Sequence, residues 1–311
     1  MIKTPKVDYG LFRAYALPQS CNHNILKGSQ CQGLAFRASP RINANLLKTK
    51  PQLCGIVFSG TTPVSSTAHK VWRETSGQRQ LIYLWRFFMK LDNMLNYMKR
   101  VTMDSSDFVL LADYVPGIIQ EIRYYSTYNF IGDRIDGYEE PCALLTREAA
   151  RALKMVANEA NVLGYRLKIF DTYRPARAVR HFVLWGIEDL DLRMKPYFYP
   201  DLEKQELFVK GYIASQSSHS RGSTVDLTLF DMRTGKEVDM GSPFDMFSVV
   251  SHPDYKGITE EQYENRMMLR SLMEKSGFAP IDCEWWHFTL RDEPFPDTYF
   301  DFPVSPSSLR R

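Results

Sequence analysis

The sequence predicts an α+β fold, with a single compact domain over residues 104–311 that follows a basic extension over residues 1–103. Within the domain, apolar residues recur at steps of three and four in segments typical of helices that face a core. Between these segments lie short runs with the composition and alternation of strands. Charge separates the two parts of the chain, because residues 1–100 are strongly basic and the remainder is acidic.

The first predicted helix begins after Thr146, a favourable N-cap, and ends before Gly164. Its apolar positions are expected to face the core: Ala149, Leu153, Val156, Ala160 and Leu163. A strand over residues 167–170 follows and delivers Arg174 at its end.

Two further helices are predicted from their end signals. Pro175 suits the first turn of a second helix, which closes near Gly186. Thr259 and Gln262 form a capping box at the start of a third helix, which ends at Gly277. The helices therefore back the strands, as in an α+β layout.

A second strand is predicted over residues 223–230, where apolar and polar side chains alternate and indicate a half-buried strand. Asp226 shares its polar face with Thr228. His219 lies before this strand, on a turn that Gly222 makes flexible. We therefore expect the imidazole ring to fold back toward Asp226.

Residues 1–100 hold 15 Lys or Arg and three acidic residues, a net charge of +12, against 24 basic and 33 acidic residues in the remainder. This part is rich in Ser, Thr, Asn and Gln and favours a loosely folded, non-catalytic extension. Two alternatives stay open for this part: a basic arm that binds nucleic acid or an anionic surface, or a stretch that lies upstream of the true translation start. Residues 81–90 have the pattern of one amphipathic helix.

Two short segments, residues 217–226 and 284–287, hold two imidazoles and two carboxylates. Catalytic zinc sites keep three protein ligands, drawn from His, Asp, Glu and Cys, and leave the fourth position to a water whose pKa falls to about 7. We predict three zinc ligands here: His219, Asp226 and His287. Glu284 is near enough in sequence to His287 to take a proton from that water, as a general base does.

The position of Glu284 needs a local irregularity. On a flat strand, residues three apart point to opposite faces, so residues 284–287 must bend or Glu284 must sit at the mouth of the strand. The other histidines are expected to be ordinary surface or half-buried side chains: His23, His69, His181 and His252.

Three motifs carry a family resemblance: Ser-Ser-His-Ser-Arg-Gly-Ser-Thr-Val-Asp-Leu-Thr-Leu at residues 217–229, Asp-Thr-Tyr-Arg-Pro-Ala-Arg-Ala-Val at residues 171–179, and Glu-Trp-Trp-His at residues 284–287. They closely resemble the zinc D-alanyl-D-alanine dipeptidases of the VanX type. Residues 290–303 are similar to the C-terminal tail of that family. The resemblance covers about residues 104–303 in order and does not reach the extension.

The resemblance implies a hedgehog and D,D-peptidase type of fold, with a central, mainly antiparallel sheet and flanking helices. It implies one zinc ion per chain on His219, Asp226 and His287, with Glu284 as the catalytic base. It also implies that Arg174 stabilises the tetrahedral intermediate, where a fixed cation is worth roughly a few kcal/mol. Without the resemblance, Arg174 would be interpreted as a surface salt bridge worth under about 1 kcal/mol.

Substrate recognition is also implied by the resemblance. Asp245, after the Met-Gly-Ser run, matches the acidic residue that holds the substrate ammonium, and Tyr124 matches an aromatic residue of the same pocket. Ser217 corresponds to a serine that lines this pocket. A solvated loop carboxylate is the alternative for Asp245. Cys283 departs from the family pattern, since an aliphatic residue is expected directly before the base.

These residues favour a zinc D,D-dipeptidase that cuts D-Ala-D-Ala into two D-alanines. The alternative is a zinc D,D-carboxypeptidase that trims longer peptidoglycan peptides, with a pocket open where Asp245 should close it. A binding domain that keeps zinc but lacks activity is disfavoured by Glu284 and Arg174. Glycopeptide resistance, cell-wall recycling and use of D-alanine as a nutrient stay open as biological roles.

Composition bounds the remaining expectations. The chain is 44% hydrophobic and 24% charged and has no apolar run of 18 residues, so no membrane span is expected. The first residues lack the apolar core of a signal peptide, and five Cys without regular spacing favour a reducing compartment, so we expect a cytoplasmic protein. We expect a small dipeptide substrate and no nucleic acid for the catalytic domain, with the oligomeric state left open.

Overall fold

The computed structural model describes residues 101–186 and 191–310, which belong to one compact unit. Residues 1–100, with the amphipathic helix predicted over residues 81–90, lie outside the described residues. None of the helices among these described residues has both the length and the apolar composition of a membrane-spanning segment.

Helices and strands are numbered in chain order. The strands are β1 Val101–Thr102, β2 Phe108–Leu110, β3 Ile119–Gln120, β4 Leu144–Thr146, β5 Tyr165–Asp171, β6 Thr224–Asp231, β7 Lys236–Glu237, β8 Phe278–Pro280, β9 His287–Leu290 and β10 Tyr299–Phe300. The α-helices are α1 Leu111–Tyr114, α2 Arg147–Val162, α3 Ala176–Trp185, α4 Lys195–Phe198, α5 Lys204–Val209 and α6 Glu260–Lys275. Short 3₁₀ helices span Arg123–Tyr125, Ser218–Arg221, Val249–Ser251 and Pro306–Ser308.

The central sheet has the strand order β3-β5-β6-β9-β8, and β7 pairs with the end of β6. β3 runs parallel to β5, and the other pairings in this sheet are antiparallel. Two small sheets accompany it, one from β2 and β4 and one from β1 and β10. α2 packs on β5, and α6 packs on β8. The predicted mixture of helices and strands is confirmed.

α2 matches its sequence prediction except at its end. The Thr146 side chain accepts a hydrogen bond from the amide of Ala149, and Gly164 has a φ of +90°. Leu163, predicted to face the core, is instead 53% exposed. It lies at the C-cap, where the chain leaves the helical path, so the spacing that buries the preceding apolar residues no longer applies to it.

The prediction that β6 is half-buried is wrong, since six consecutive residues, from Thr224 to Leu229, are buried on both faces. β6 is flanked by β5 and β9, and its polar side chains are buried as well: Asp226 lines an internal cavity, and Thr224 and Thr228 are covered by the protein. Thr224, for example, meets the hydroxyl of Thr289 on β9 at 2.9 Å. The alternation of polar and apolar residues therefore distinguishes the two faces of this strand but does not show which face contacts solvent.

The other predicted elements are present. Pro175 is the N-cap of α3, and Thr259 and Gln262 form both hydrogen bonds of the capping box that starts α6. β1 pairs in parallel with β10, through Val101 opposite Tyr299. Strand pairing of the domain therefore extends ahead of residue 104, the predicted boundary.

Candidate metal centre and active site

The three predicted zinc ligands come from neighbouring elements. His219 lies on the 3₁₀ helix Ser218–Arg221, Asp226 on β6, and His287 is the first residue of β9. The antiparallel register places Asp226 directly opposite His287. Gly222 joins the 3₁₀ helix to β6 with a φ of +81°, and a Cβ there would meet Cζ of Phe108 at 2.3 Å. Only glycine fits this turn, which brings His219 back over the strand.

The ligating atoms of the three residues face one another and all lie within 4.8 Å. Nε2 of His219 is 3.2 Å from Oδ2 of Asp226 and 3.2 Å from Nδ1 of His287. Nδ1 of His287 is 3.1 Å from Oδ1 of Asp226. This group of potential metal ligands is the one found among the described residues.

Hydrogen bonds around the group leave ligand lone pairs aimed inward. Nδ1 of His219 donates to the carbonyl oxygen of Thr172 at 2.6 Å, so Nε2 carries the lone pair. Oδ1 of Asp226 is buried and accepts no hydrogen bond. Burial alone would raise the pKa of Asp226, but the imidazoles of His219 and His287 hold its pKa below the usual range. Two imidazoles and one ionised carboxylate are a donor set that fits zinc.

Glu284 lies in the turn before β9, at the mouth of the strand, which is one of the two positions allowed by the sequence argument. Its Oε2 is 3.7 Å from Nδ1 of His287. Burial, opposed by His287, raises the pKa of the Glu284 carboxyl to about 8. The side chain lines the same cavity as the metal ligands without belonging to the ligand group.

Arg174 follows β5 and is held from two sides. Its Nε donates to Oδ2 of Asp171 at 2.9 Å, and its Nη2 is 3.5 Å from Oδ2 of Asp226. The guanidinium carbon lies 4.8 Å from the ring centre of Tyr124. The surface salt bridge considered from the sequence is therefore wrong, because the Arg174 side chain is only 12% exposed.

Asp171 was not singled out from the sequence, although it stands in the same motif as Arg174. It is 1% exposed, and its Oδ1 accepts a hydrogen bond from the hydroxyl of Tyr138 at 2.7 Å. Burial raises its pKa, and the nearby Arg174 opposes that shift. A carboxylate three residues before an arginine was the available signal for this pair.

The predicted substrate residues also line the cavity. Asp245 is 4% exposed and accepts a hydrogen bond from the hydroxyl of Tyr124 at 3.0 Å. Burial and the charge of Asp226 raise the pKa of Asp245 to about 8. The alternative of a solvated loop carboxylate is therefore wrong. Ser217 is buried at the start of the 3₁₀ helix and accepts a hydrogen bond from the amide of His219.

All eight residues predicted from the sequence line one cavity of about 240 Å³. Other parts of its wall were not predicted: Phe130, Tyr212, Ile213, Ala214, Gln216, Phe247 and Ile281. Residues 211–216 have no helix or strand period, so no sequence signal marked them as a wall. Of the remaining histidines, His181 lies 3.4 Å from Asp136 and His252 lies 3.2 Å from the hydroxyl of Tyr212, both outside the ligand group.

Comparison with known proteins gives a consistent result. Residues 104–305 match the family described as D-ala-D-ala dipeptidase, Peptidase_M15. D-alanyl-D-alanine dipeptidases from Enterococcus faecalis and Enterococcus faecium are 46% and 44% identical, covering 64% and 63% of this chain and 98% of each relative. One from Streptomyces coelicolor is 41% identical over 65% of this chain and 100% of its own length.

Among solved structures, an LD-carboxypeptidase covers 61% of this chain and 71% of its own at 18% identity, with a TM-score of 0.33. That similarity is too distant to carry an argument. The family match spans more than half of the chain and contains every residue of the cavity predicted from the sequence. The resemblance seen in the motifs is thus confirmed, and the chain belongs to the D-Ala-D-Ala dipeptidase family of M15 peptidases.

Proposed function

We propose that this chain is a zinc-dependent D,D-dipeptidase that hydrolyses D-Ala-D-Ala to two molecules of D-alanine. The observation that carries the proposal is the convergence of three potential metal ligands, a separate carboxylate and a buried cation in one cavity. The names and high coverage of the bacterial relatives support the substrate.

His219, Asp226 and His287 would hold one zinc ion per chain. Their inward lone pairs and the unpaired Oδ1 of Asp226 support this role. The ion, when bound, supplies a Lewis acid that acidifies a water and polarises the scissile carbonyl. The carbonyl of Thr172 fixes the tautomer of His219, so this ligand is oriented before any metal arrives.

Glu284 is the general base in this proposal. It accepts a proton from the attacking water and passes that proton to the leaving amine. Its place in the cavity, beside a ligand but outside the ligand group, supports a role in proton transfer rather than in metal binding. A carboxyl whose pKa burial raises to about 8 is basic enough for this task, and a nearby cation would lower that pKa toward neutrality.

Arg174 stabilises the negative charge that develops on the carbonyl oxygen of the substrate. Its hydrogen bond to Asp171 fixes the guanidinium, and burial removes the water that would screen its charge. A fixed cation in such a site contributes roughly a few kcal/mol to stabilisation of the transition state.

Asp245 binds the free ammonium of the dipeptide, and Tyr124 holds the Asp245 carboxylate in place. Ser217 lines the same cavity. A buried carboxylate without a cationic partner at hydrogen-bond distance matches a ligand that brings its own positive charge. A longer peptide would place an uncharged amide against Asp245, so the burial of this residue favours the dipeptidase over the carboxypeptidase alternative.

We propose that the hydrolysis takes place in the cytoplasm. Among the described residues, Cys142 and Cys283 are free thiols, which fits a reducing compartment.

The test is a substrate panel on the purified full chain, with zinc content measured on the same sample. We expect hydrolysis of D-Ala-D-Ala, no hydrolysis of L-Ala-L-Ala, and little of N-acetyl-D-Ala-D-Ala. Faster cleavage of the N-acetylated substrate would establish the carboxypeptidase alternative. Zinc-loaded protein that cleaves neither D,D substrate would refute the proposed function.

A further inference from the structure

Two groups of the proposed site must keep a fixed separation, although they lie on different segments. Asp245, in the loop after β7, would hold the ammonium of the substrate, while Glu284, before β9, would serve the carbonyl of the same small molecule. This inference rests on the proposed function. Because a dipeptide is short, a shift of either carboxylate would displace the carbonyl from the base.

A row of side-chain hydrogen bonds connects the two segments. The indole Nε1 of Trp285, the residue after the base, donates to Oγ of Ser242 at 2.9 Å. Oγ of Ser242 is 3.0 Å from Oγ of Ser251, and the hydroxyl of Ser251 donates to the carbonyl of Met246 at 2.6 Å. The amide of Trp285 also donates to the carbonyl of Ser251 at 3.0 Å.

The direction of this row follows from the chemistry of its ends. An indole N–H can only donate, and a backbone carbonyl can only accept. Since Ser251 gives its proton to the carbonyl of Met246, the proton of Ser242 must point to Ser251. Each hydroxyl of the row then donates once, which gives one direction of donation from Trp285 to Met246.

Asp245 lies in the sequence between Ser242 and Met246, two residues that take part in this row of hydrogen bonds. Asp245 has a φ of 62°, and among the described residues it is the one non-glycine residue with a positive φ. Such a backbone conformation persists where the surrounding structure enforces it. Hydrogen bonds on both sides of Asp245 supply that enforcement: Ser242 accepts one from Trp285, on the segment that carries Glu284, and Met246 accepts one from Ser251.

Arg266 on α6 fixes the same loop from behind. This side chain is 1% exposed and donates to the carbonyls of Met240, Val250 and His252 at 2.6, 2.9 and 2.7 Å. Its Nη2 also lies 3.4 Å from Oγ of Ser242. The loop thus rests on a rigid helix, and Ser242 is the point where helix, loop and the Glu284 segment meet.

We propose that Ser242 and Trp285 are positioning residues whose hydrogen bond sets the distance between Asp245, the ammonium-binding carboxylate, and Glu284, the base. Neither residue touches the reacting atoms in this role. Their effect should appear in the rate of the bound complex more than in substrate affinity, because the ammonium contact itself stays in place.

The experiment compares Ser242→Ala, Ser242→Thr and Trp285→Phe with the wild-type full chain, each at equal zinc content, on D-Ala-D-Ala. We expect Ser242→Ala and Trp285→Phe to lower kcat about tenfold and to change KM less than about threefold, since small displacements of reacting groups are costly. The double variant should be no slower than the slower single variant, because both substitutions break one link. Ser242→Thr keeps the hydroxyl and should keep wild-type kcat, since Ser242 lines a second cavity of about 370 Å³ that can take the methyl group.

Ser305→Ala is the matched control, because it also removes a serine hydroxyl that is hydrogen-bonded, here to Glu140, but at a residue outside the row that connects the Asp245 loop with the Glu284 segment. Its kcat should be unchanged. The indole N–H resonance of Trp285 gives a readout independent of activity: slow exchange with solvent in the wild type and fast exchange in Ser242→Ala. If Ser242→Ala does not fold, Trp285→Phe and Ser251→Ala carry the same comparison.

Values of kcat within about twofold of wild type for folded Ser242→Ala and Trp285→Phe would overturn the inference. A Ser242→Thr variant as slow as Ser242→Ala would overturn it too, since the hydroxyl would then be irrelevant. A wrong proposed function gives a distinguishable result, because the wild type itself would then leave D-Ala-D-Ala intact. That result would also overturn the positioning role.

Discussion

The proposed metal-binding end of the cavity and its proposed ammonium-binding end are built in different ways. Asp226 and His287 sit opposite each other on paired strands, so backbone hydrogen bonds place them. Asp245 sits on an irregular loop with a strained backbone, and side-chain hydrogen bonds from Tyr124, Ser242 and Ser251 surround it. The proposed metal ligands are thus positioned by the register of the sheet, whereas the residue proposed to set substrate specificity is positioned by side-chain hydrogen bonds that single substitutions can remove.

The largest expected effect comes from breaking the metal end. His287→Ala should lose both zinc and activity, because it leaves two of the three protein ligands that a catalytic zinc site needs. Metal analysis of the purified variant, together with turnover of D-Ala-D-Ala, tests this. Dialysis of the wild type against a chelator should have the same effect, and zinc should restore activity. Full turnover in metal-free protein contradicts the assignment of all three ligands.

The next effect separates the base from the ligands. Glu284→Gln keeps the shape of the side chain and the zinc content but cannot accept a proton, so kcat should fall by at least about 10²-fold. Zinc stoichiometry and kcat are measured on the same preparation. If this variant turns over at nearly the wild-type rate, another group must activate the water.

A smaller effect is expected at the ammonium end. Asp245→Asn keeps a residue that tolerates a positive φ but removes the charge, so kcat/KM on D-Ala-D-Ala should fall about 10- to 100-fold. Cleavage of N-acetyl-D-Ala-D-Ala, measured in parallel, should change far less, which narrows the preference for the free dipeptide. An unchanged preference would mean that the ammonium is bound elsewhere.

The smallest effect is expected from removing the extension. A chain that begins at Val101 retains every residue assigned to either end of the cavity and should match the full chain in kcat and KM. A chain that begins at Asp104 is the informative comparison, because it also loses β1 and its pairing with β10. Its thermal midpoint should be lower than that of the Val101 chain. A folded but inactive Val101 chain would show that the extension contributes to the site.

The sequence predicted the regular elements well, because helix caps are local chemistry. Thr146, Thr259 and Gln262 each make the hydrogen bond expected of them. The prediction that Leu163 faces the core was wrong because the helical spacing was extended one residue beyond the end of the helix. The half-buried prediction for β6 was wrong because the alternation of polar and apolar residues does not show whether the polar face is covered by protein or exposed to solvent.

At the site, local motifs gave the residue identities but not their connections. Ser242 and Trp285 are 43 residues apart, and no periodicity or cap signal links them. Asp171 and Tyr138 are likewise joined only by folding, across 33 residues. Such long-range hydrogen bonds depend on how loops pack on the sheet, which single-sequence patterns do not encode.

The pairing of Asp226 with His287 has one more consequence. Side chains alternate along a strand, so sliding β9 by one residue along β6 would set Trp286 or Phe288 beside the carboxylate and turn the imidazole away. A misaligned sheet would thus bury Asp226 against an aromatic ring and lose the donor set at once. Correct strand alignment is therefore a condition for the proposed metal site, and a bound ion would stabilise the correctly aligned sheet over a shifted one.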